Sequence, residues 1–401
     1  MPKNHLFTTF TPMQFITAPI IYPINTPPLQ NTVIVHDSHG LIIDLVAEND
    51  LDPLKIKHLE GAICPGFINT HCHLELSFMK DKIEAGQGLH TFIKEVESLK
   101  KPNDEEVLEA IKTTDKEMYA NGIVAVGDIS NTSNTFAFKA NASKIYYHTF
   151  LEIYAFDETR ADAAFDRGLK LQNELREFLD DRIYLQSSIT PHAPYSASIK
   201  LLNLFSHHAQ QNNSILTIHN QETEDENLFF KEKKGSILDR LKSFNIPTDN
   251  WQAPGKSSLQ ATLPYLPASN KLQLVHNTFT NQDDISFAND YNKNLFWCFC
   301  VNANLYIENK VPNVNLFTQN NCNITLGTDS YASNWSLSIF DEIKTLQKHF
   351  PKIELNTLLA WATLNGANYL GIQNKYGSIQ KGKTPGLNLI STDFKSAKRI
   401  I

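Results

Sequence analysis

The chain has 401 residues, 41% of them hydrophobic and 20% charged, with a formal net charge of −7. That length exceeds one small domain and accommodates a barrel of about 250–300 residues with a smaller piece beside it. The mildly acidic balance argues against nucleic acid or an acidic membrane surface as the main partner. No stretch approaches the ~18 apolar residues of a membrane span, and the five cysteines form no disulfide framework, which reads as reduced thiols in the cytoplasm.

The chain begins MPKNHLFTTF, and Pro12, Pro19, Pro23, Pro27 and Pro28 then interrupt any apolar run, so no secretory signal is expected. As far as residue 65, short β-like runs at 14–21, 32–36 and 41–46 lie between Pro, Asn, Gly and Asp and predict a small β-structure. Apolar strand-like runs follow at 63–69, 123–129, 145–153, 183–189, 215–219, 272–276, 295–301 and 324–327. Amphipathic segments such as 105–121, 160–179, 199–212 and 227–244 separate them. Eight buried strands alternating with helices predict an α/β fold, a parallel (β/α)8 TIM barrel. Residues 221–270, after the fifth strand, make a long connection expected over the barrel mouth. Residues 376–390 return to short strands and turns. The expected organisation is therefore a composite β-sandwich from 1–65 and 373–401, and a barrel over 66–372.

Active sites of such barrels sit at the C-terminal ends of the strands. The first strand ends in His71-Cys72-His73, and positions two apart share a face, so both imidazoles aim inward and Cys72 outward. The fourth ends in Thr190-Pro191-His192, the fifth in His219, the sixth in Val275-His276-Asn277, and the eighth in Gly327-Thr328-Asp329-Ser330. Five of the 14 histidines thus fall at predicted strand ends. Imidazoles with a carboxylate suit Zn²⁺ or Fe²⁺, which lowers the pKa of a bound water toward roughly 7. Any one such histidine is more often a hydrogen-bonded structural residue; their joint placement points to a metal.

The run from Pro65 to Glu75 (PGFINTHCHLE) resembles the first metal motif of the amidohydrolase superfamily. His219-Asn220-Gln221-Glu222 is similar to the His-x-x-Glu of its aminohydrolase (deaminase) branch, and Val275-His276 and Gly327-Thr328-Asp329-Ser330 match its sixth and eighth strands. Gly377-Ser378-Ile379 with Gly382-Lys383 resembles its C-terminal β-segment, although Pro385-Gly386 replaces the usual Ala-Asp pair there. The resemblance implies one divalent ion per subunit, Zn²⁺ foremost and Fe²⁺ the alternative, held by His71, His73, His219 and Asp329. Binuclear members end the fourth strand in a lysine or glutamate; Ile189-Thr190-Pro191-His192 has neither. His276 is then either free to stabilise the attacking hydroxide or a second-metal ligand.

Deamination moves a proton from water to a ring nitrogen, and an acid three residues beyond a ligand reaches both. Glu222 is expected to be that shuttle, unless it is one more acid of a solvated stretch with Glu224, Asp225 and Glu226. Asp329 is expected to ligate and to take the nucleophile's proton. His192, Glu75, Glu152 and Ser330 are expected at the substrate, with hydrogen-bonded structural roles as their alternatives. Trp335 reads as ordinary packing or a pocket wall, and Cys298 and Cys300 as core or pocket wall.

The segments 73–78 and 88–93 are similar to those of aminofutalosine deaminases. The expected function is hydrolytic deamination of an amino-substituted heterocycle, an adenosine-type nucleoside first, with guanine, cytosine and pterins open. The alternatives are a ring-opening hydrolase (imidazolonepropionase-like) or a dechlorinating one, or a non-catalytic barrel. The partner expected is a small-molecule substrate, with no nucleic acid and no membrane, and a homodimer by family likeness.

Overall fold

The computed structural model describes residues 12–178 and 185–401; the expected strand at 183–189 begins, and the expected helix at 160–179 ends, outside the described residues. The described residues hold eight parallel strands in the middle of the chain: β1 Phe67–Cys72, β2 Ile123–Ser130, β3 Tyr146–Ile153, β4 Leu185–Pro191, β5 Leu216–Asn220, β6 Leu272–His276, β7 Leu295–Phe299 and β8 Ile324–Leu326. They pair in chain order within two four-stranded sheets, β1 to β4 and β5 to β8. Every residue of β2 and β3 is buried, because both faces of a parallel sheet are covered.

The two sheets meet at both edges. Between β4 and β5, the His219 amide donates to the His192 carbonyl at 2.9 Å and the Thr217 amide to Thr190 Oγ1 at 3.0 Å. Between β8 and β1, the amides of Thr328 and Asp329 both donate to the His71 carbonyl at 3.0 Å. Inside, Gln273 of β6 donates to the Thr70 carbonyl of β1 and accepts from Thr325 of β8, each at 3.0 Å. Strands of the two sheets are thus linked through side chains as well as at their edges.

Helices follow the strands where a side chain caps the free N–H groups of the first turn. Asn103 accepts from Glu106 N, Ser198 from Leu201 N, Asn281 from Asp284 N and Ser338 from Asp341 N. Their apolar faces cover the strands around fully buried Trp297, Phe67, Phe205, Phe317 and Phe340. No helix among the described residues is long and apolar enough to cross a membrane.

Several expected elements divide. The run 63–69 becomes Ala62–Pro65, which pairs with terminal strands, and β1, which starts at Phe67. Gly66 makes the crossing: a Cβ there would lie 2.2 Å from Val124 Cγ1 and 2.8 Å from the Pro385 carbonyl oxygen. The run 14–21 splits into Gln14–Thr17 and Ile20–Ile21 in different sheets, with Pro19 between them lacking a ladder donor. The segment 227–244 forms two helices, Glu224–Glu232 and Ser236–Ser243, because Lys233 and Gly235 take positive φ of 53° and 94°. Helix Gly88–Ser98 and strand Ala397–Arg399 have no counterpart in the sequence reading.

The terminal segments form two further sheets. One runs Ile42–Ala47, Thr32–His36, Gln14–Thr17, Ile56–His58; the other Ala397–Arg399, Leu387–Ile390, Ala62–Pro65, Ile20–Ile21. Ile16, Ile21, Ile34, Ile42, Ile63, Ile379 and Leu387 make one apolar cluster from both ends of the chain. Beyond the C-terminal ends of the central strands, Leu89, Tyr195, Phe229, Phe230, Leu238 and Ile307 make another, so part of the 221–270 connection is packed helix over the strand ends.

Gly66→Ala should overpack the crossing. The expected loss is about 2 kcal/mol of unfolding free energy, read as a lower urea midpoint at unchanged slope. An unaltered midpoint would mean the two backbones have room to separate.

Candidate metal centre

The histidines at the strand ends converge. The ring of His71 lies 5.0 Å from that of His73, 4.9 Å from His219 and 5.8 Å from His276. The Nε2 atoms of His71 and His73 are 3.2 Å apart, and Asp329 Oδ1 stands 3.5 Å and 3.2 Å from them. One donor atom each from His71, His219, His276 and Asp329 fits within a mutual 4.8 Å. His73 falls outside that tightest set, but its short distances to His71 and Asp329 put it on the same centre. The four expected ligands therefore come together, with His276 beside them. His276 Nε2, a buried imidazole nitrogen without a hydrogen-bond partner, adds to a donor set that suits a borderline divalent cation.

A second layer orients these groups. His219 Nδ1 lies 2.8 Å from the His192 carbonyl; a carbonyl only accepts, so Nδ1 carries the proton and Nε2 keeps its lone pair for a metal. Glu152, His192 and His219 also lie close enough to resemble a cation site, but the His219 nitrogen nearest Glu152, at 3.4 Å, is this protonated Nδ1. Asp329 accepts from Ser333 Oγ. Asp128, paired with fully buried Lys139, accepts the Leu74 amide at 2.8 Å, next to His73. The backbone is bent sharply here: Gln221, His276, Asn277 and Asp329 take φ of 47°, 74°, 57° and 60°. Left-handed conformations of non-glycine residues persist only where surrounding contacts enforce them.

Charge is divided unevenly. Burial pulls His71 down to about 4 and His219 well below the usual histidine range, with neighbouring imidazoles adding to it. Burial also opposes charging of His73, but the hydrogen bond and charge of Asp329 prevail and raise it to about 9. Asp329 is driven the other way: desolvation would raise it, yet the hydrogen bonds of His71 and His73 hold it well below the carboxylate range.

Glu222 lies at the edge of this centre, its Oε1 3.6 Å from His276 Nε2. It is 5% exposed, so it does not belong to a solvated acidic stretch, although Glu224 is exposed. Burial, reinforced by the charges of Asp329 and Glu308, pushes its carboxyl well above the ordinary range. The turn that carries it is pinned. The Gln221 amide donates to Glu226 Oε1 at 3.0 Å, and the Gln221 side chain donates to Asn227 at 3.1 Å and Asp284 at 2.9 Å.

The other candidates separate. Glu75, expected at the substrate, turns instead to the loop after β2, accepting from the Asn131 amide (2.9 Å), the Thr132 amide (3.1 Å) and the Thr132 hydroxyl (2.5 Å). Ser330 likewise serves its own loop, accepting from the Ala332 amide at 3.1 Å and contacting Ser333 at 3.0 Å. Glu152 is held by Asn131 through Oε2, and its buried Oε1 has no hydrogen-bond partner. His192 is half-buried, its ring 4.8 Å from that of His219. Trp335 is 55% exposed with its ring 5.0 Å from Tyr306, so it is not core packing. Cys298 and Cys300 are buried with Val275 and Ala303. Sequence reasoning missed Ser333, Asn131, Lys139 and Asn304. Only Ser333, four residues after Asp329, had a local signal.

Comparison with known proteins identifies the family of the chain. A profile of the amidohydrolase family matches residues 62–400. The 5'-deoxyadenosine deaminase of Methanococcus vannielii is 28% identical over 354 residues, 83% of this chain and 76% of the relative. The 5-methylthioadenosine/S-adenosylhomocysteine deaminase of Saccharophagus degradans is 25% identical, covering 90% of this chain and 78% of that protein. Among solved structures, Helicobacter pylori aminofutalosine deaminase superposes with a TM-score of 0.80 at 20% identity, over 97% of this chain and 100% of that one.

Glu226 supplies a pH test of the pinned turn. Its carboxyl is raised to about 7 by burial, so the folded state binds that proton more tightly than the unfolded chain. The contribution is complete below the unfolded carboxyl's pKa and is lost as pH rises through about 7. Glu226→Gln keeps an acceptor for the Gln221 amide. Urea unfolding from pH 5 to 8 should show the wild type losing up to about 3 kcal/mol relative to the variant; parallel curves would reject the assignment.

Proposed function

The chain belongs to the amidohydrolase family, and on that premise we propose that it is a metal-dependent deaminase that removes the amino group of an adenosine-type nucleoside as ammonia. The observation that carries this reading is Glu222, a buried carboxyl with a raised pKa, 3.6 Å from His276 and beside a cluster of imidazoles and a carboxylate. The relatives named for 5'-deoxyadenosine, 5-methylthioadenosine and S-adenosylhomocysteine support the substrate class, and the aminofutalosine deaminase fold is consistent with it.

In this reading the eight strands close as a (β/α)8 barrel over 66–372, and the terminal sheets form a composite β-sandwich. The hydrogen bonds at both sheet edges support the closure. His71, His73, His219 and Asp329 hold one divalent ion, zinc in preference to iron. When bound, the ion supplies a water acidified toward a pKa of roughly 7.

The side chains do the rest. Glu222 enters the reaction protonated and gives its proton to the ring nitrogen beside the carbon under attack. It then carries a proton from the nucleophile's oxygen to the departing ammonia. Asp329 accepts the nucleophile's proton during attack and afterwards returns it to Glu222, so both carboxyls end as they began, and His276 faces the nucleophile. His192 lines the substrate space, and Glu152 offers it the unpartnered Oε1. Glu75 and Ser330 act on the loops rather than on substrate.

An ammonia-release screen over 5'-substituted adenosines, guanine, cytosine and pterins, with zinc- or iron-loaded protein, tests the proposal. Ammonia from the adenosines is expected; a ring-opened product without ammonia, or no turnover by metal-loaded protein, would overturn it. Glu222→Gln should lower kcat roughly 10²–10⁴-fold with the metal content measured by mass spectrometry unchanged. Chelation should abolish turnover and lower Tm, because a ligand that binds only the folded state stabilises it, and zinc should restore both.

A further inference from the structure

We propose that Asn304 is a positioning residue that fixes the tautomer of His276, so that this ring meets the reaction centre as a hydrogen-bond acceptor. His276 ends β6 in a left-handed conformation with φ of 74°. Asn304 lies in helix Val301–Glu308, which follows β7, and makes two contacts with it. Its Nδ2 donates to the His276 carbonyl oxygen at 3.4 Å, and its Oδ1 lies 2.9 Å from His276 Nδ1.

The chemistry of these atoms leaves one arrangement. The backbone carbonyl can only accept, so the amide nitrogen must face it. The amide oxygen then faces Nδ1, and because it also only accepts, Nδ1 must carry the ring proton. A neutral imidazole has one N–H, so Nε2 is left with its lone pair. That nitrogen is buried, has no hydrogen-bond partner, and points toward the Glu222 carboxyl 3.6 Å away. The amide has little freedom to reverse. Asn304 is 1% exposed, and reversing its amide would set Oδ1 against the His276 carbonyl oxygen, two acceptors facing each other. The opposite tautomer would aim an N–H at the centre, where it could neither accept from an attacking water nor bind a cation. The side chain of Asn304 therefore governs what His276 can do, without approaching the substrate.

The test reads tautomer and rate separately, since only the rate rests on the deaminase reading. Long-range ¹H–¹⁵N NMR of ¹⁵N-histidine-labelled protein, with His276→Gln to assign the resonance, should show Nδ1 protonated and Nε2 unprotonated in the wild type, with and without zinc. Asn304→Asp keeps the acceptor and should keep that signature. Asn304→Leu removes it and should give a mixed or reversed tautomer, with kcat down at least tenfold, KM within about threefold, and zinc still bound. A wild-type spectrum with Nε2 protonated overturns the proposal, even if Asn304→Leu does not fold. So does a folded Asn304→Leu protein that keeps both signature and kcat. Absence of ammonia release from any nucleoside would sink the deaminase reading and leave the tautomer result to stand or fall alone.

Discussion

The contact between Asp329 and the two histidines of the first central strand is the one on which the rest depends. It lies where β8 meets β1: the amides of Thr328 and Asp329 donate to the His71 carbonyl, and the Asp329 carboxylate reaches His71 and His73. The seam between the first and last strands is thus also the centre of the site. A carboxylate this deeply buried is costly unless positive charge or donors meet it. Here imidazoles, Ser333 and, when bound, a cation do so. The same requirement draws the ends of a 257-residue excursion of chain (Cys72 to Asp329) together.

Strand ends are poor supports for chemistry, because beyond the last ladder hydrogen bond the chain is free to turn. The structure compensates with partners behind each reactive group. The His192 carbonyl holds His219, Ser333 holds Asp329, and Asp128 with Lys139 holds the backbone after His73. Gln221 and its partners hold the turn before Glu222. Four left-handed residues at these turns are the strain that such supports sustain. Where the supporting atom is a carbonyl, it also decides which imidazole nitrogen keeps a lone pair, so orientation and protonation are set by the same contact.

The acids show how two carboxyls near strand ends acquire different work. Glu75 and Glu222 each follow a metal-motif histidine by a few residues. Glu75 meets two amides and a hydroxyl of the neighbouring loop and becomes a clamp. Glu222 is desolvated beside other negative charge, which pushes its carboxyl well above the ordinary range. The His-x-x-Glu spacing already set Glu222 apart in the sequence; that Glu75 serves a neighbouring loop depends on which loop stands opposite.

The sequence alone determined what is written locally: the alternation of apolar strands with amphipathic segments, and the histidines and aspartate at strand ends, whose period-two and strand-end placement any short window reveals. It misjudged continuity at Gly66, Pro19 and Lys233–Gly235, where a contact from elsewhere or a backbone turn outweighs apolar pattern. Only the tertiary structure decided that His276 stands within the ligand cluster, that Glu75 and Ser330 face loops, and that Asn304 meets both the ring and the carbonyl of His276. Each of those outcomes rests on hydrogen-bond partners, and a partner supplied by a different strand or loop leaves no periodic trace in the chain that it acts on.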